Sequence, residues 1–133
     1  MHQQIYVNLP CRDLKRSRTF FETLGFAFNA QFSNDDGACM IIGENIYAML
    51  LAETFFKTFT AKPVADATKS TEVLICISCV SRAAVDELVQ RARAAGGSVP
   101  RAPQDHGFMY GHGFEDLDGH IWELMVQSGE APA

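Results

Sequence analysis

The sequence predicts an α+β fold in which one βαβββ unit occurs twice. Three observations support this prediction: short apolar segments typical of strands, two longer segments with helical apolar spacing, and the same order of segments in both halves. The predicted helix caps Asp13 and Ser81 lie 68 residues apart, and the glycines that end the two helices, Gly25 and Gly96, lie 71 apart. The chain is therefore interpreted as an internal duplication.

The first half begins with the strand IYVNLP, whose apolar residues fall at every second position. Asp13 can cap the helix LKRSRTFFETL, which Gly25 ends. The segments GFAFNAQF, ACMIIG and IYAMLLAE are separated by turn residues and predict three further strands. This first module is predicted to cover about residues 4–54.

A segment of about residues 55–70 lacks strong periodicity and contains Pro63, so we interpret it as a short helix or loop. The pattern then returns with the strand EVLICISCV and the helix RAAVDELVQRARAA, which begins after Ser81 and ends at Gly96. GSVPRAPQ, GFMYGHGF and HIWELMV predict three more strands. The second module is predicted to cover about residues 71–127.

Composition restricts the class of protein. With 133 residues, 47% of them hydrophobic and 20% charged, the chain fits a single globular domain spanning residues 1–133. A formal net charge of −5 with dispersed Lys and Arg argues against nucleic acid and anionic membranes as partners. No apolar run approaches the ~18 residues of a membrane span, and the N-terminal segment lacks a signal-peptide pattern. We expect a cytoplasmic protein.

The four cysteines include a C-x-x-C pair, Cys76 and Cys79, inside a predicted strand. Residues three apart in a strand point to opposite faces, so this pair is not expected to share a metal or a disulfide. Cys11 and Cys39 have no partner at ligand spacing. We therefore expect reduced, buried cysteines.

Two segments, LPCRDLKRSRTFFETLGF and FEDLDGHIWEL, carry a family resemblance. On the basis of these two segments, the chain resembles the vicinal oxygen chelate superfamily over residues 4–127. This superfamily includes glyoxalase I, extradiol dioxygenases, and bleomycin and fosfomycin resistance proteins. The chain looks most like small bacterial proteins described as predicted lactoylglutathione lyases. The resemblance implies that the two modules form a cupped, eight-stranded mixed sheet with helices on its outer face, commonly in a homodimer.

The resemblance also implies a divalent metal bound by one His, Gln or Glu from the first and last strand of each module. Glu123, four residues after Gly119, matches this pattern, whereas the other three positions fall on Tyr6, Ala48 and Leu74. A single carboxylate, even with a phenol, falls short of the four or more ligands that such ions take. We therefore expect no metal and no other cofactor, with a divalent ion at Glu123 as the alternative.

The strand register near the C-terminus decides which residue faces Glu123. A three-residue loop in DLDG, with Gly119 in the left-handed conformation, would place Gly113 opposite Glu123. A two-residue loop would place His112 there instead and create a His-Glu pair. His120 lies three residues before Glu123 and is expected on the opposite face in either case.

The candidate site is a cavity inside the cupped sheet. Glu123 is the predicted catalytic residue, and the predicted ligand-binding residues are Tyr6, Asn8, Met49, His106 and Tyr110. Tyr6 is the expected partner of Glu123, because an unpaired buried charge is costly. His106 follows Asp105, whose carboxylate could orient the imidazole.

Three functions are consistent with these residues. The first is binding of a small molecule, as in the resistance proteins that the family resemblance includes. The second is a metal-dependent lyase or isomerase of the glyoxalase I (lactoylglutathione lyase) type, with Glu123 as ligand or base. The third is a non-catalytic dimer scaffold. The three unmatched ligand positions favour the first over the second.

Overall fold

A computed structural model describes residues 1–127 of the chain. The chain divides into two compact units, of which the first covers Met1–Ala65 and the second begins at Asp66. This boundary falls inside the 55–70 segment that was predicted to join two modules. No helix in the described part of the chain combines the length and apolarity needed to cross a membrane.

The first unit has the predicted βαβββ order. Its elements are β1 (Ile5–Cys11), α1 (Leu14–Leu24), β2 (Ala27–Asn29), β3 (Gly37–Gly43), β4 (Ile46–Ala52) and the short α2 (Glu53–Phe56). The sheet order is β1-β4-β3-β2, with β1 and β4 parallel and the other pairs antiparallel. The α1 helix begins where the Asp13 carboxylate accepts the N–H of Arg16, and it ends at Gly25, whose φ is 105°.

The second unit repeats this order. Its elements are β5 (Leu74–Ser78), α3 (Arg82–Ala94), β6 (Gln104–Asp105), β7 (Met109–Glu115) and β8 (Ile121–Gln127), and its sheet order is β5-β8-β7-β6. The Ser81 hydroxyl caps α3 by accepting the N–H of Ala84 at 3.0 Å. The predicted α+β fold is thus confirmed, with the eight strands divided equally between two mixed sheets.

One predicted strand is much shorter than expected. In the segment GSVPRAPQ only an isolated bridge from Ser98 to Glu115 and the two-residue β6 pair with a neighbouring strand. Pro100 and Pro103 lack the N–H that a ladder requires, which explains the interruption. Most of this segment is therefore a loop.

The core of the second unit fills the space between α3 and one face of its sheet. Phe114 and Trp122 stack with their ring centroids 6.4 Å apart, and Val85 and Val89 from α3 are fully buried with them. Because successive strand residues alternate between faces, Glu123 must point away from this core. The packing of Trp122 thus determines which face carries the carboxylate.

In the first unit the same alternation corrects one predicted ligand position. Ala48 and Leu50 are fully buried on the face of β4 that α1 covers, whereas Met49 is half-buried and points to the other face. Met49 pairs with Asn8 as Glu123 pairs with Cys76 in the second unit. Met49, and not Ala48, is thus the counterpart of Glu123, since a one-residue shift reverses the face of every side chain.

The cysteines follow the prediction only in part. All four are free thiols, and Cys11 and Cys39 are buried as expected. Cys79 is half-buried, however, and Cys76 is exposed. The expectation of burial is wrong for Cys76, because β5 is an edge strand and Cys76 lies on the face of the sheet opposite to α3.

Candidate functional site

The second unit contains a cavity of about 130 Å³ on the sheet face that carries Glu123. Its apolar lining comes from strands β5 and β8 and from the loop before β6, through Leu74, Ile121, Pro100 and Ala102. Polar side chains also reach it, those of Arg101, Gln104, Glu115 and Glu123. An apolar cavity with a few polar groups is the usual form of a small-molecule site.

The hairpin that carries Glu123 adopts the three-residue loop. The N–H of Asp116 donates to the carbonyl of His120 at 3.0 Å, and Gly119 has a φ of 90°. Gly113 consequently lies opposite Glu123, and His112 pairs with Leu124. The alternative register that would have formed a His-Glu pair is therefore wrong.

Gly113 provides the space in which the Glu123 carboxylate lies. A Cβ atom at position 113 would come within 2.9 Å of Glu123 Oε2 and within 2.8 Å of the Trp122 carbonyl oxygen. Within the described part of its own unit, residues 66–127, no side chain or backbone group forms a hydrogen bond or ion pair with this half-buried carboxylate. Glu123 can therefore accept hydrogen bonds from a bound molecule.

Cys76 is the neighbour of Glu123 across the parallel pair β5 and β8. Partial burial raises the pKa of the Cys76 thiol, and the negative charge of Glu123 raises it further. A thiol with a raised pKa is a weak nucleophile at neutral pH, so Cys76 is not a candidate catalytic group. The reactivity of the Cys76 thiol instead depends on the charge of Glu123.

The turn before β8 gathers three buried residues that could each offer a metal ligand, Asp116, Asp118 and His120, with ligand atoms within 4.8 Å of one another. The Asp116 carboxylate already accepts the N–H groups of Asp118 and His120 and the indole N–H of Trp122, at 2.9 to 3.0 Å. Burial raises the pKa of Asp116, and the adjacent His120 and the indole N–H oppose that rise. This network is sufficient to explain the cluster as the internal support of the turn.

The three predicted site residues of the first unit form one group on the face opposite to α1. The Tyr6 ring stacks on Tyr47 with centroids 4.8 Å apart, and its hydroxyl donates to Gln4 Oε1 at 3.0 Å. The Asn8 amide donates to the carbonyl of Tyr6 at 3.2 Å, and Asn8 lies beside Met49 in the sheet. Because the Tyr6 hydroxyl already donates its hydrogen bond to Gln4, its oxygen can still accept a hydrogen bond from another group.

Tyr110 lies on the other side of its sheet from Glu123. Its hydroxyl donates to Asp86 of α3, and the guanidinium of Arg82 lies 4.9 Å from the centre of its ring. The Asp86 carboxylate raises the pKa of Tyr110 and partial burial raises it further. These contacts fasten α3 to β7, so the geometry lends no support to the predicted role of Tyr110 in ligand binding.

The predicted pairing of Asp105 with His106 is not found either. Both carboxylate oxygens of Asp105 accept hydrogen bonds from Arg82, at 2.7 and 3.0 Å, and one also accepts the N–H of Gly107 at 2.9 Å. The Arg82 hydrogen bond holds the pKa of Asp105 below its usual value. His106 is exposed, with its ring centroid 6.5 Å from that of Phe108, and it is not among the residues that line the cavity.

Sequence reasoning missed the loop that forms one wall of the cavity. Pro100, Arg101 and Ala102 were assigned to a strand, although the prolines at positions 100 and 103 were a signal for a loop. His112 Nε2 lies 2.9 Å from the carbonyl oxygen of Arg101, a hydrogen bond that holds this loop against β7. The role of His112 is thus to position the wall.

The divalent metal implied by the family resemblance does not fit the residues at the corresponding positions. Leu74 has no donor atom, and Met49, which replaces Ala48 as the counterpart of Glu123, offers only a thioether, a soft ligand. Tyr6 offers a phenol whose hydroxyl is already hydrogen-bonded to Gln4 Oε1. Glu123 would be left as the one carboxylate, which is insufficient for an ion that takes four or more ligands.

Comparisons with known proteins agree with the fold of the chain. Residues 3–124 match the family model described as Glyoxalase/Bleomycin resistance protein/Dioxygenase superfamily. A hypothetical protein from S. aureus is similar in structure, with a TM-score of 0.81 and 30% identity over 95% of this chain and 94% of that chain. The comparison with curated proteins gave no match.

Two further solved structures resemble the chain at lower identity and therefore support the fold alone. A glyoxalase-related enzyme from Fulvimarina pelagi has a TM-score of 0.79 and 21% identity, covering 96% of this chain and 89% of that chain. A genomically encoded fosfomycin resistance protein from Listeria monocytogenes has a TM-score of 0.68 and 18% identity, covering 96% and 95%. Proteins with this fold thus have different functions, and the residues of the site must distinguish between them.

Proposed function

Because the chain belongs to the glyoxalase/bleomycin resistance protein/dioxygenase superfamily, we propose that it binds a small organic molecule in the cavity of its second unit, with Glu123 as the polar anchor. One observation supports this proposal above all: the Glu123 carboxylate lines an apolar cavity and, among residues 66–127 of its own unit, has no hydrogen-bond partner. A structural carboxylate is normally paired, as Asp105 and Asp116 are in the same unit.

A ligand donor would give Glu123 the partner that it lacks. Hydrogen bonds to a charged group contribute about 1.5–3 kcal/mol, and the apolar wall formed by Leu74 and Ile121 adds burial of the ligand body. Gly111 and Gly113 add no side chains to the floor of the cavity, and the space at Gly113 holds the Glu123 carboxylate. These features favour reversible binding over chemistry.

The residues give less support to a lyase of the glyoxalase I type. Glu123 has the chemistry of a general base, but the metal that such an enzyme uses does not fit the positions described above. Two other acid-base groups in the lining already have partners: His112 Nε2 is hydrogen-bonded to the Arg101 carbonyl, and Glu115 Oε2 accepts the Ser98 hydroxyl. We therefore propose binding, without a resident metal or other cofactor, as the function.

The test is a titration of ¹⁵N-labelled protein with a library of small aromatic and aliphatic fragments. We expect amide shifts to concentrate at Gly111, Gly113 and Ile121, and to weaken in Glu123→Gln, which keeps the shape and removes the charge. Glu72→Gln changes the net charge equally but lies outside the cavity lining, so it serves as the control. Shifts that map elsewhere, or that persist unchanged in Glu123→Gln, would contradict the proposal.

Elemental analysis of the purified protein tests the absence of a metal independently. We expect far less than one Ni, Zn, Mn or Fe per chain. Close to one ion per chain, lost in Glu123→Ala, would favour the lyase alternative.

The family resemblance further leads us to propose a homodimer, for which light scattering at micromolar concentration should give twice the chain mass of 14.7 kDa.

A further inference from the structure

We infer that the molecule bound in this cavity is an organic cation, in which a protonated amine or amidinium group is joined to an apolar body. The inference rests on the proposed function, since it names the chemical class of ligand for the same site. It follows from the charges that line the cavity, from the hydrogen bonds that these groups already make, and from the cavity's size.

The carboxylates of the cavity outnumber its cations. Glu115 and Glu123 lie on the same face of the β7-β8 hairpin, with Glu115 opposite Ile121 and Glu123 opposite Gly113. Arg101 is the one ammonium or guanidinium side chain among the lining residues. Because the whole chain also carries a formal charge of −5, the field in the cavity favours a positive ligand.

The two carboxylates differ in what they already bind. The Ser98 hydroxyl lies 3.4 Å from Glu115 Oε2, a long hydrogen bond at the cavity wall. Glu123 has no such donor in the described part of its own unit, and a carboxylate can only accept hydrogen bonds. A cationic donor forms a stronger hydrogen bond to Glu123 than a neutral donor does, because hydrogen bonds between two charged groups are shorter and stronger.

The apolar surface beside Glu123 requires an apolar body next to the cationic group. Leu74 and Ile121 are paired neighbours on β5 and β8, two residue pairs along the sheet from Cys76 and Glu123 and therefore on the same face, and Leu74 is 59% exposed. A cavity of about 130 Å³ is similar in size to engineered cavities that take up benzene. A benzyl-sized group joined to an ammonium matches both the apolar wall and the carboxylate.

Three probes with one benzyl or phenyl body and different charges test the inference: benzylammonium, benzyl alcohol and benzoate. In amide-shift titrations at pH 7 and low salt, we expect benzylammonium to bind at least about fivefold more tightly than benzyl alcohol, and benzoate to bind most weakly. In Glu123→Gln the advantage of the ammonium should disappear, whereas in Glu72→Gln it should remain.

A salt series in the wild-type protein gives a second measurement that does not depend on a variant. Raising NaCl from about 20 to 500 mM shortens the Debye length severalfold, so the preference for benzylammonium should shrink while the affinity for benzyl alcohol changes little. Equal binding of all three probes, or tightest binding of benzoate through Arg101, would overturn the inference and leave the proposed function intact. If no probe shifts the cavity amides, the proposed function itself is contradicted.

Discussion

Gly113 and Glu123 face each other across β7 and β8, and the glutamate carboxylate occupies the space that a side chain at position 113 would take. Gly111 lies two residues earlier on the same face, and a Cβ there would come no closer than 3.4 Å, to the Leu124 carbonyl oxygen. The two glycines therefore make a matched pair for testing the site.

Gly113→Ala should destabilise the protein and weaken ligand binding, because the new methyl group would lie 2.8 Å from the Trp122 carbonyl oxygen and displace the Glu123 carboxylate. Overpacking of this kind costs about 1–3 kcal/mol. Gly111→Ala should cost much less, since its contact distance is ordinary. Urea unfolding of both variants measures the difference, and equal costs would show that the close approach at Gly113 is not as tight as described.

Glu123→Gln should make the Cys76 thiol more reactive. The Glu123 charge contributes to the raised pKa of Cys76, so its removal lowers that pKa and increases the thiolate fraction at pH 8. We expect iodoacetamide to alkylate Cys76 about twofold faster in the variant, as followed by mass spectrometry of the Cys76 peptide. An unchanged rate, relative to the half-buried Cys79 as internal reference, would mean that Glu123 and Cys76 do not interact.

Asp116→Ala should be strongly destabilising. The change removes the acceptor of two backbone N–H groups and of the Trp122 indole N–H, all in a buried turn. Each unsatisfied buried donor costs about 1–3 kcal/mol, so a total of about 3 kcal/mol or more is expected. Asp116→Asn retains one acceptor oxygen and should fall between the wild type and the alanine variant in urea unfolding; a cost below about 1 kcal/mol for alanine would contradict this account.

The Arg82 and Asp105 pair should make stability depend on pH in acid. Arg82 lowers the pKa of Asp105 in the folded protein, so the pair stabilises the native state above the unfolded value of 3.8 and this contribution is lost as pH falls through the lower folded value. Asp105→Asn should lower Tm by about 1–2 °C at pH 7, since both side chains are exposed.

The same difference should shrink as pH falls below the unfolded value of 3.8, where the carboxylate becomes protonated first in the unfolded chain and then, at lower pH, in the folded protein. Asp35→Asn, at an exposed carboxylate in a turn of the first unit, is the control and should show no comparable dependence. If the Tm difference for Asp105→Asn grew towards acid, the sign of the coupling would be wrong.

The sequence by itself determined the two long helices, the order of the strands along the chain and the candidate carboxylate. The Asp13 and Ser81 caps and the glycine after the first helix act through hydrogen bonds between residues close in sequence, so their signals are complete within a few positions. Glu123 was identified by its spacing from the DLDG turn, which is also local.

Tertiary structure alone decided how those elements pair and which way their side chains point. Both loop lengths in DLDG were compatible with the sequence, and the network around Asp116, which includes the Trp122 indole of the next strand, is formed with Gly113 opposite Glu123. Likewise, Met49 rather than Ala48 is the counterpart of Glu123 because β1 and β4 pair in one register across about 40 residues of chain.

The same reason explains why the sequence did not reveal the contacts of Tyr110. Whether the Tyr110 ring meets a ligand or α3 depends on Asp86 and Arg82, which lie more than 20 residues away in sequence. Strand pairing and helix packing join residues that local periodicity cannot relate, and a shift of one residue exchanges the core face of a strand for its open face. The cavity therefore emerges only when the strands are paired.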